Sequence, residues 1–124
     1  MVKLIYIAHQ IAGNIDENVR EVLQICREVH TEDIIPMALY LVAVQYLNDH
    51  LGEERALGIA ANKEHFRRKV MDETWLCGPI ISKGMRGEIL LSLQYGIPIK
   101  CYNPKLQSEL EILLKQYLPG QNPQ

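Results

Sequence analysis

The sequence predicts an α/β fold, a Rossmann-like three-layer sandwich with a mostly parallel sheet of four to five strands between layers of helices. The first supporting observation is that short apolar runs, typical of buried strands, alternate along the chain with longer segments of helical periodicity. The second is that alternating strands and helices require crossover connections. Such crossovers are right-handed and place successive strands parallel to one another.

The length of 124 residues fits one domain, predicted over residues 1–118 and followed by a frayed C-terminal tail over residues 119–124. The formal net charge of −2 lacks the basic excess of a nucleic-acid binder, so no nucleic-acid partner is expected. No apolar run reaches the roughly 18 residues that span a bilayer, so no membrane partner is expected either.

Cysteine and histidine spacing bears on location and metal binding. The three cysteines, Cys26, Cys77 and Cys101, are odd in number and widely spaced, which favours free thiols and a cytoplasmic location. The four histidines lack the short spacings of metal ligands, so no metal site is expected. The glycine-rich fingerprints of dinucleotide and triphosphate sites are also missing, and no cofactor is expected.

The first half of the chain predicts two strands and three helices. Val2–Ala8 is a β-branched and aromatic run typical of a strand that is buried on both faces. Asn14 is the predicted cap of the first helix, and Glu17 completes a capping-box arrangement. The remaining elements are a second strand over 33–40, weakened by Pro36, a short helix over 41–47, and a longer helix over 53–70 with apolar positions Ala56, Leu57, Ala60, Ala61, Phe66 and Val70.

The second half predicts two more strands and two more helices. Thr74–Cys77 is a short buried strand, and the helix after it ends near Gln94 with Gly96 in the C-terminal cap position. Ile97–Tyr102 is the last strand. Asn103 followed by proline then opens the final helix.

The segment from Ser82 to Glu88 is the most informative one. It predicts a strand that ends in a glycine-bearing loop and turns into a helix with Glu88 in its first turn. There the positive end of the helix dipole would keep Glu88 ionised. An ionised carboxylate aimed into a ligand crevice is the nucleophile that a glycosyl-transferring enzyme needs. An ordinary helix start with an acidic residue is the alternative interpretation.

Parallel strands bring the loops after the first three strands to the same edge of the sheet, where ligands bind in open α/β folds. Backbone amides at Asp16 and Met85 would add hydrogen-bond donors, and Gly84 permits a close backbone approach. The polar character of this edge favours a ligand that carries sugar or phosphate. The polar side chains predicted around this crevice are His9, Gln10, Asn14, Tyr40, Ser82, Arg86 and Glu88.

Several motifs resemble the nucleoside 2-deoxyribosyltransferase-like superfamily. They are K-L-I-Y-I-A-H-Q, N-I-D-E-N, P-M-A, D-E-T-W-L-C-G-P-I-I-S-K-G-M-R-G-E-I and Y-G-I-P-I. The similarity extends from Lys3 to about Tyr102, and its most specific part is the segment around Glu88. The branch that it resembles most is a set of small proteins with the patterns A-H-P, A-P-H-L and W-V-F-G-x-x-I-S-x-G-M-x-x-E.

The resemblance implies a Rossmann-like domain that works as a dimer or higher homo-oligomer, with sites near subunit contacts. It implies that Glu88 attacks the anomeric carbon of a nucleoside or nucleotide, and that Tyr6 helps to orient Glu88. It also implies that Ser82 contacts base or phosphate. Glu64 is the nearest match to an acidic base-binding residue. From the residues alone, a tyrosine inside an apolar strand is more often a core residue than a site residue, and this holds for Tyr6.

The chain departs from the branch at two positions of the predicted ligand edge: Gln10 replaces the proline of A-H-P, and Tyr40 replaces the histidine of A-P-H. Two classes of function therefore stay open. One is an N-glycosidase or deoxyribosyltransferase that acts through Glu88. The other is a non-catalytic, phage-type sponge that sequesters cyclic nucleotide or cyclic ADP-ribose-type immune signals, a form of anti-phage defence evasion. A purely structural oligomer is a third, weaker alternative.

Overall fold

The computed structural model describes residues 1–117, and this part of the chain contains four parallel strands, five α-helices and one turn of 3-10 helix. The α/β fold with a parallel sheet is confirmed, and the predicted tail over 119–124 lies outside the described residues. The elements are β1 (Lys3–Ala8), α1 (Ile15–Val29), β2 (Ile34–Met37), α2 (Tyr40–Tyr46), α3 (Gly52–Arg67), β3 (Glu73–Leu76), α4 (Lys83–Gln94), β4 (Ile99–Cys101), the 3-10 turn (Pro104–Leu106) and α5 (Gln107–Tyr117).

The sheet has the strand order β2-β1-β3-β4, and all of its pairs are parallel. Tyr6 in β1 lies opposite Met37 of β2 on one side and opposite Thr74 of β3 on the other. The chain therefore leaves β1 toward one edge, returns, and continues toward the other edge. This reversal opens a crevice at the carboxyl ends of β1 and β3, where ligands bind in open α/β sheets.

Alternating side chains of β1 enter two separate cores. Ile5 and Ile7 pack with Val22 and Val29 of α1 on one face of the sheet. Tyr6 and Ala8 point to the other face, where residues from α3, α4 and α5 cover them. A strand buried on both faces has an almost continuous apolar sequence, which explains the L-I-Y-I-A run.

The second strand is shorter than the sequence predicts. It ends at Met37, and Tyr40 is the first residue of α2 rather than the end of a strand. Pro36 lies opposite Ile5, in an edge strand with β1 as its neighbour. An edge strand tolerates the missing amide donor of proline, which a central strand would not.

Most of the apolar positions by which the sequence predicts α3 are not buried in the structure. Ala56, Leu57, Ala60 and Ala61 are exposed, and Phe66 is the buried residue of this helix. These four residues therefore do not pack in the core. Among residues 1–117, no helix combines the length and apolar character needed to cross a bilayer.

Candidate functional site

A cavity of about 1120 Å³ lies at the carboxyl edge of the sheet. Its wall is formed by the loop after β1, by α2 and α3, and by α4 together with the loop that precedes it. Most of the predicted edge residues thus surround one space. The predicted residues that line it are His9, Gln10, Tyr40, Ser82, Gly84 and Glu88.

Three side chains from three elements meet at Glu88. The Tyr6 hydroxyl donates a hydrogen bond to Glu88 Oε2. Asn62 Nδ2, from α3, lies 3.1 Å from the same carboxylate oxygen and 3.0 Å from the Tyr6 oxygen. The Tyr6 ring itself is fully buried and lies against Phe66. Tyr6 is therefore both a core residue and a hydrogen-bond partner of Glu88.

The ionisation predicted for Glu88 is wrong in its physical basis. The residue lies in the second turn of α4, beyond the first turn in which the helix dipole acts strongly. Burial raises the pKa of Glu88 to about 7, although the hydrogen bonds from Tyr6 and Asn62 oppose that rise. Near neutral pH the carboxyl group is therefore divided between its two protonation states.

Tyr40 closes the cavity beside Tyr6. Its hydroxyl donates to the Ile7 carbonyl at 2.5 Å, and its ring centroid is 5.8 Å from that of Tyr6. Burial, and then the charge of Glu88, raise the pKa of Tyr40 well above its usual range. Because of this raised pKa, Tyr40 stays neutral where it lines the cavity. Its hydroxyl is already bonded to the backbone.

His9 is buried at the end of β1, and its position depends on Gly78. Its Nδ1 donates to the Gln10 carbonyl at 2.7 Å, and its Nε2 lies 3.1 Å from Glu21 Oε2. Gly78 has a φ of +83°, and a Cβ atom there would stand 2.8 Å from His9 Nε2. Only glycine combines this backbone conformation with such a close approach.

Four predicted ligand residues do not line the cavity. Asn14 caps α1 by accepting from the Glu17 amide at 3.2 Å. Met85 is fully buried, and its amide donates to Ser82 Oγ at 3.2 Å, so the amide expected for a ligand is already used. Arg86 and Glu64 lie outside the cavity wall. The Glu64 carboxylate is bound by Arg67 and Arg68, whose hydrogen bonds lower its pKa to about 2.

Sequence reasoning missed Asn62, which occupies the place expected for Glu64. A signal for it exists in the sequence, because Asn62 precedes the buried Phe66 by four residues and therefore shares its helix face.

The rim of the cavity carries further charged side chains that sequence reasoning missed. They are Asp49, Glu54, Arg55, Lys63 and Lys83.

Two further features of residues 1–117 are relevant to the site. No group of three or more His, Cys, Asp or Glu side chains is arranged to hold a metal ion in this part of the chain. A second depression of about 690 Å³, lined by Ile15, Asp16, Val19, Arg20, Val44 and Gln45, contains none of the predicted ligand side chains.

A family model, described as a domain of unknown function (DUF7768), matches residues 3–102. The chain belongs to the DUF7768 family. No curated protein and no solved structure matches the chain.

The DUF7768 match runs from the start of β1 to just beyond β4. It therefore includes every residue that lines the large cavity, and it leaves α5 outside. The site at Glu88 thus lies wholly within the family domain. Its chemistry combines one carboxyl group of raised pKa, two neutral polar partners and a charged rim.

Proposed function

We propose that the cavity binds a nucleoside or nucleotide and that Glu88 cleaves its N-glycosidic bond. The observation that carries this proposal is the hydrogen bonding of the Glu88 carboxylate by Tyr6 and Asn62 inside the cavity at the switch point of the sheet. A carboxylate fixed in this way can attack a sugar carbon, because it is held in one orientation and needs no metal ion to be nucleophilic.

The proposed reaction has two steps that balance. A Glu88 oxygen forms a bond to the anomeric carbon while the bond from that carbon to the base nitrogen breaks. The electron pair leaves with the base, which takes a proton from water. Water or a second base then attacks the same carbon and gives its proton to the hydroxide left by the first step, and Glu88 is released as a carboxylate.

The rim of the cavity favours a phosphorylated ligand. Lys63 and Lys83 are exposed and line the mouth of the cavity. Arg55 lies near Asp49, with 3.8 Å between Nη1 and Oδ2, so its charge is partly offset. Lysines act as point charges for phosphate. We therefore place a nucleotide ahead of a nucleoside.

A non-catalytic binder is the second candidate, and the pKa of Glu88 favours it. A protonated Glu88 is a hydrogen-bond donor rather than a nucleophile, and a pKa of about 7 keeps that form populated at neutral pH. The cavity of about 1120 Å³ also exceeds the usual range for drug-sized ligands, roughly 300–1,000 Å³. Such a protein would sequester a larger nucleotide, such as a cyclic immune signal.

One experiment separates these two functions. The purified protein is incubated with a panel of nucleosides, nucleotides, cyclic dinucleotides and cyclic ADP-ribose isomers, and the free and heat-released fractions are identified by mass spectrometry. Release of free base that is lost in Glu88→Gln supports the enzyme. An intact nucleotide recovered only after heating supports the binder, and a panel that is neither cleaved nor bound overturns both.

We also propose that the protein is a homo-oligomer assembled through α3. A 16-residue helix with Phe66 as its buried residue lacks the apolar packing that normally stabilises helices in proteins. Leu57, which is 61% exposed, lies on its outward side together with Ala56 and Ala60. A second copy of the chain would cover these apolar atoms.

The charges of α3 fit a second copy in antiparallel orientation. Glu53 and Arg67 are each seven residues from Ala60 and lie on the same side of the helix. A twofold axis at Ala60 would bring Glu53 opposite the partner's Arg67, and the small Ala60 side chains would allow close approach. Arg67 already pairs with Glu64 in its own helix, so the partner's Glu53 would extend an existing ionic network.

A further inference from the structure

Asn62 contacts both of the groups that define the site, although its residue type does not itself react. Its Nδ2 lies 3.1 Å from Glu88 Oε2 and 3.0 Å from the Tyr6 oxygen. Its Oδ1 lies 3.1 Å from the same Tyr6 oxygen. The amide thus offers a donor to Glu88 and an acceptor to Tyr6 from a single position on α3.

These contacts fit Glu88 in both of its protonation states. When Glu88 is ionised, it accepts from the Tyr6 hydroxyl and from the Asn62 amide. When Glu88 is protonated, its new hydroxyl donates to the Tyr6 oxygen, and the Tyr6 proton turns to Asn62 Oδ1. No heavy atom moves between the two arrangements, because only the hydrogen positions change.

We propose that Asn62 is a positioning residue that holds Glu88 in one orientation in both protonation states and favours the ionised one. This inference rests on the proposed function, in which Glu88 acts on the ligand. The amide favours the ionised form because a hydrogen bond donated to a carboxylate is stronger than one made to a neutral acid.

The surroundings of Glu88 leave this role to Asn62 and Tyr6. In the part of the chain that the structure describes, the hydrogen bonds to the Glu88 carboxyl group come from these two residues. The other titratable groups that line the cavity come from each of the elements around it. They are His9 after β1, Tyr40 in α2, Asp49 before α3, Glu54, Arg55 and Lys63 in α3, and Lys83 and Tyr95 at the two ends of α4.

The test compares Asn62→Leu with Lys63→Ala. Leucine keeps the branched shape of asparagine, although it is larger, and it has neither donor nor acceptor. Lys63 is the next residue of α3 and lines the cavity without a hydrogen bond to Glu88. Carbon-13 NMR follows the Glu88 carboxyl group, which is assigned with Glu88→Gln. We expect Asn62→Leu to raise the pKa of Glu88 by roughly one to two pH units, the effect of a hydrogen bond to a charged group.

The second measurement is the pH dependence of kcat/KM. In Asn62→Leu the acidic limb of the kcat/KM profile should move upward by the same number of pH units, with little change in KM. Asn62→Ala provides a second variant, and circular dichroism confirms that each variant is folded. Lys63→Ala should leave the pKa of Glu88 in place.

The titration separates this inference from the proposed function. If the wild-type protein cleaves nothing, the proposed enzyme is wrong, but the NMR shift still decides the role of Asn62. A Glu88 pKa that changes by less than about 0.3 pH units in both Asn62 variants would overturn the inference. Equal shifts in Lys63→Ala and in the Asn62 variants would overturn it as well.

Discussion

Tyr6 and Glu88 are 82 residues apart in the chain, yet the Tyr6 hydroxyl donates a hydrogen bond to the Glu88 carboxylate at the edge of the sheet. The parallel pairing of β1 and β3 creates this contact, because it places the end of β1 beside the loop that leads into α4. The pair is largely removed from water, and its energetics therefore depend on pH.

The first prediction concerns the free energy of unfolding. The folded pKa of Glu88 is about 7, against roughly 4.3 in an unfolded chain. Between these values the unfolded chain has lost a proton that the folded protein keeps, so the contribution of Glu88 to stability falls as pH rises and levels off above 7.

Glu88→Gln removes this titration. The stability of the variant relative to wild type should therefore rise between pH 4 and pH 7.5, by up to roughly 3 kcal/mol. Urea unfolding at a series of pH values measures the difference, and Glu111→Gln, at an exposed position, serves as the control. A difference that does not change with pH would show that Glu88 titrates normally.

The second prediction concerns Glu73, whose pH dependence has the opposite sign. Although burial alone would raise its pKa, hydrogen bonds from Lys3 (2.7 Å), Trp75 (2.9 Å) and Lys100 (3.2 Å) lower the pKa of Glu73 to about 2. Its stabilising effect is therefore complete above roughly pH 5 and is lost as pH falls toward 2.

Glu73→Gln should lower the free energy of unfolding at pH 7 by about 1–3 kcal/mol, because two lysines lose the charge that binds them. The deficit relative to wild type should shrink at pH 3. Denaturant titrations at both pH values give the comparison. A deficit of the same size at pH 3 and pH 7 would mean that shape, rather than charge, explains the effect.

The third prediction separates steric overlap from backbone strain. Gly78 and Gly96 both have positive φ values, of +83° and +69°, but only a Cβ atom at Gly78 would overlap His9. Gly96→Ala should cost about 1 kcal/mol from backbone strain alone. Gly78→Ala should cost clearly more. Thermal unfolding of the two variants tests this order, and equal costs would show that His9 moves aside freely.

The fourth prediction concerns the outward side of α3. Leu57→Glu should convert the proposed oligomer to a monomer, because it places a charge within the proposed apolar contact. Ile112→Glu, at a similarly exposed position of α5, should leave the oligomer intact. Size-exclusion chromatography with light scattering measures the mass of each. A wild-type monomer at about 50 μM, or an oligomer that survives Leu57→Glu, would contradict the proposal.

The sequence predicts the sheet and the loop-to-helix turn ahead of Glu88, because both depend on local patterns, but it places Glu88 one turn too early in α4. The L-I-Y-I-A run is typical of a strand buried on both faces, and Asn14 is a helix cap that local spacing reveals. The edge of a parallel sheet then follows from topology. His9, Tyr40, Ser82 and Glu88 come together because the carboxyl ends of all the strands face the same way.

The sequence could not predict features that depend on tertiary packing. Glu88 has a raised pKa because α3 and β1 enclose it. Rules for helix starts consider only the helix that carries the residue, so they do not predict this burial. Apolar spacing in α3 indicates the helix, yet it does not show whether Ala56 and Leu57 are buried or exposed. Asn62 was missed because an amide within a helix carries no motif of its own.

The rate of free-base release by wild type, Glu88→Gln and Glu54→Gln decides whether Glu88 carries out the proposed cleavage. Glu54 is the matched control. It lines the same cavity, but its carboxylate accepts a hydrogen bond from the backbone amide of Asn48 at 2.9 Å. We expect Glu88→Gln to lose on the order of a thousandfold in rate and Glu54→Gln to stay within about tenfold of wild type. A Glu88→Gln variant that releases base as fast as Glu54→Gln would show that Glu88 does not carry out the cleavage.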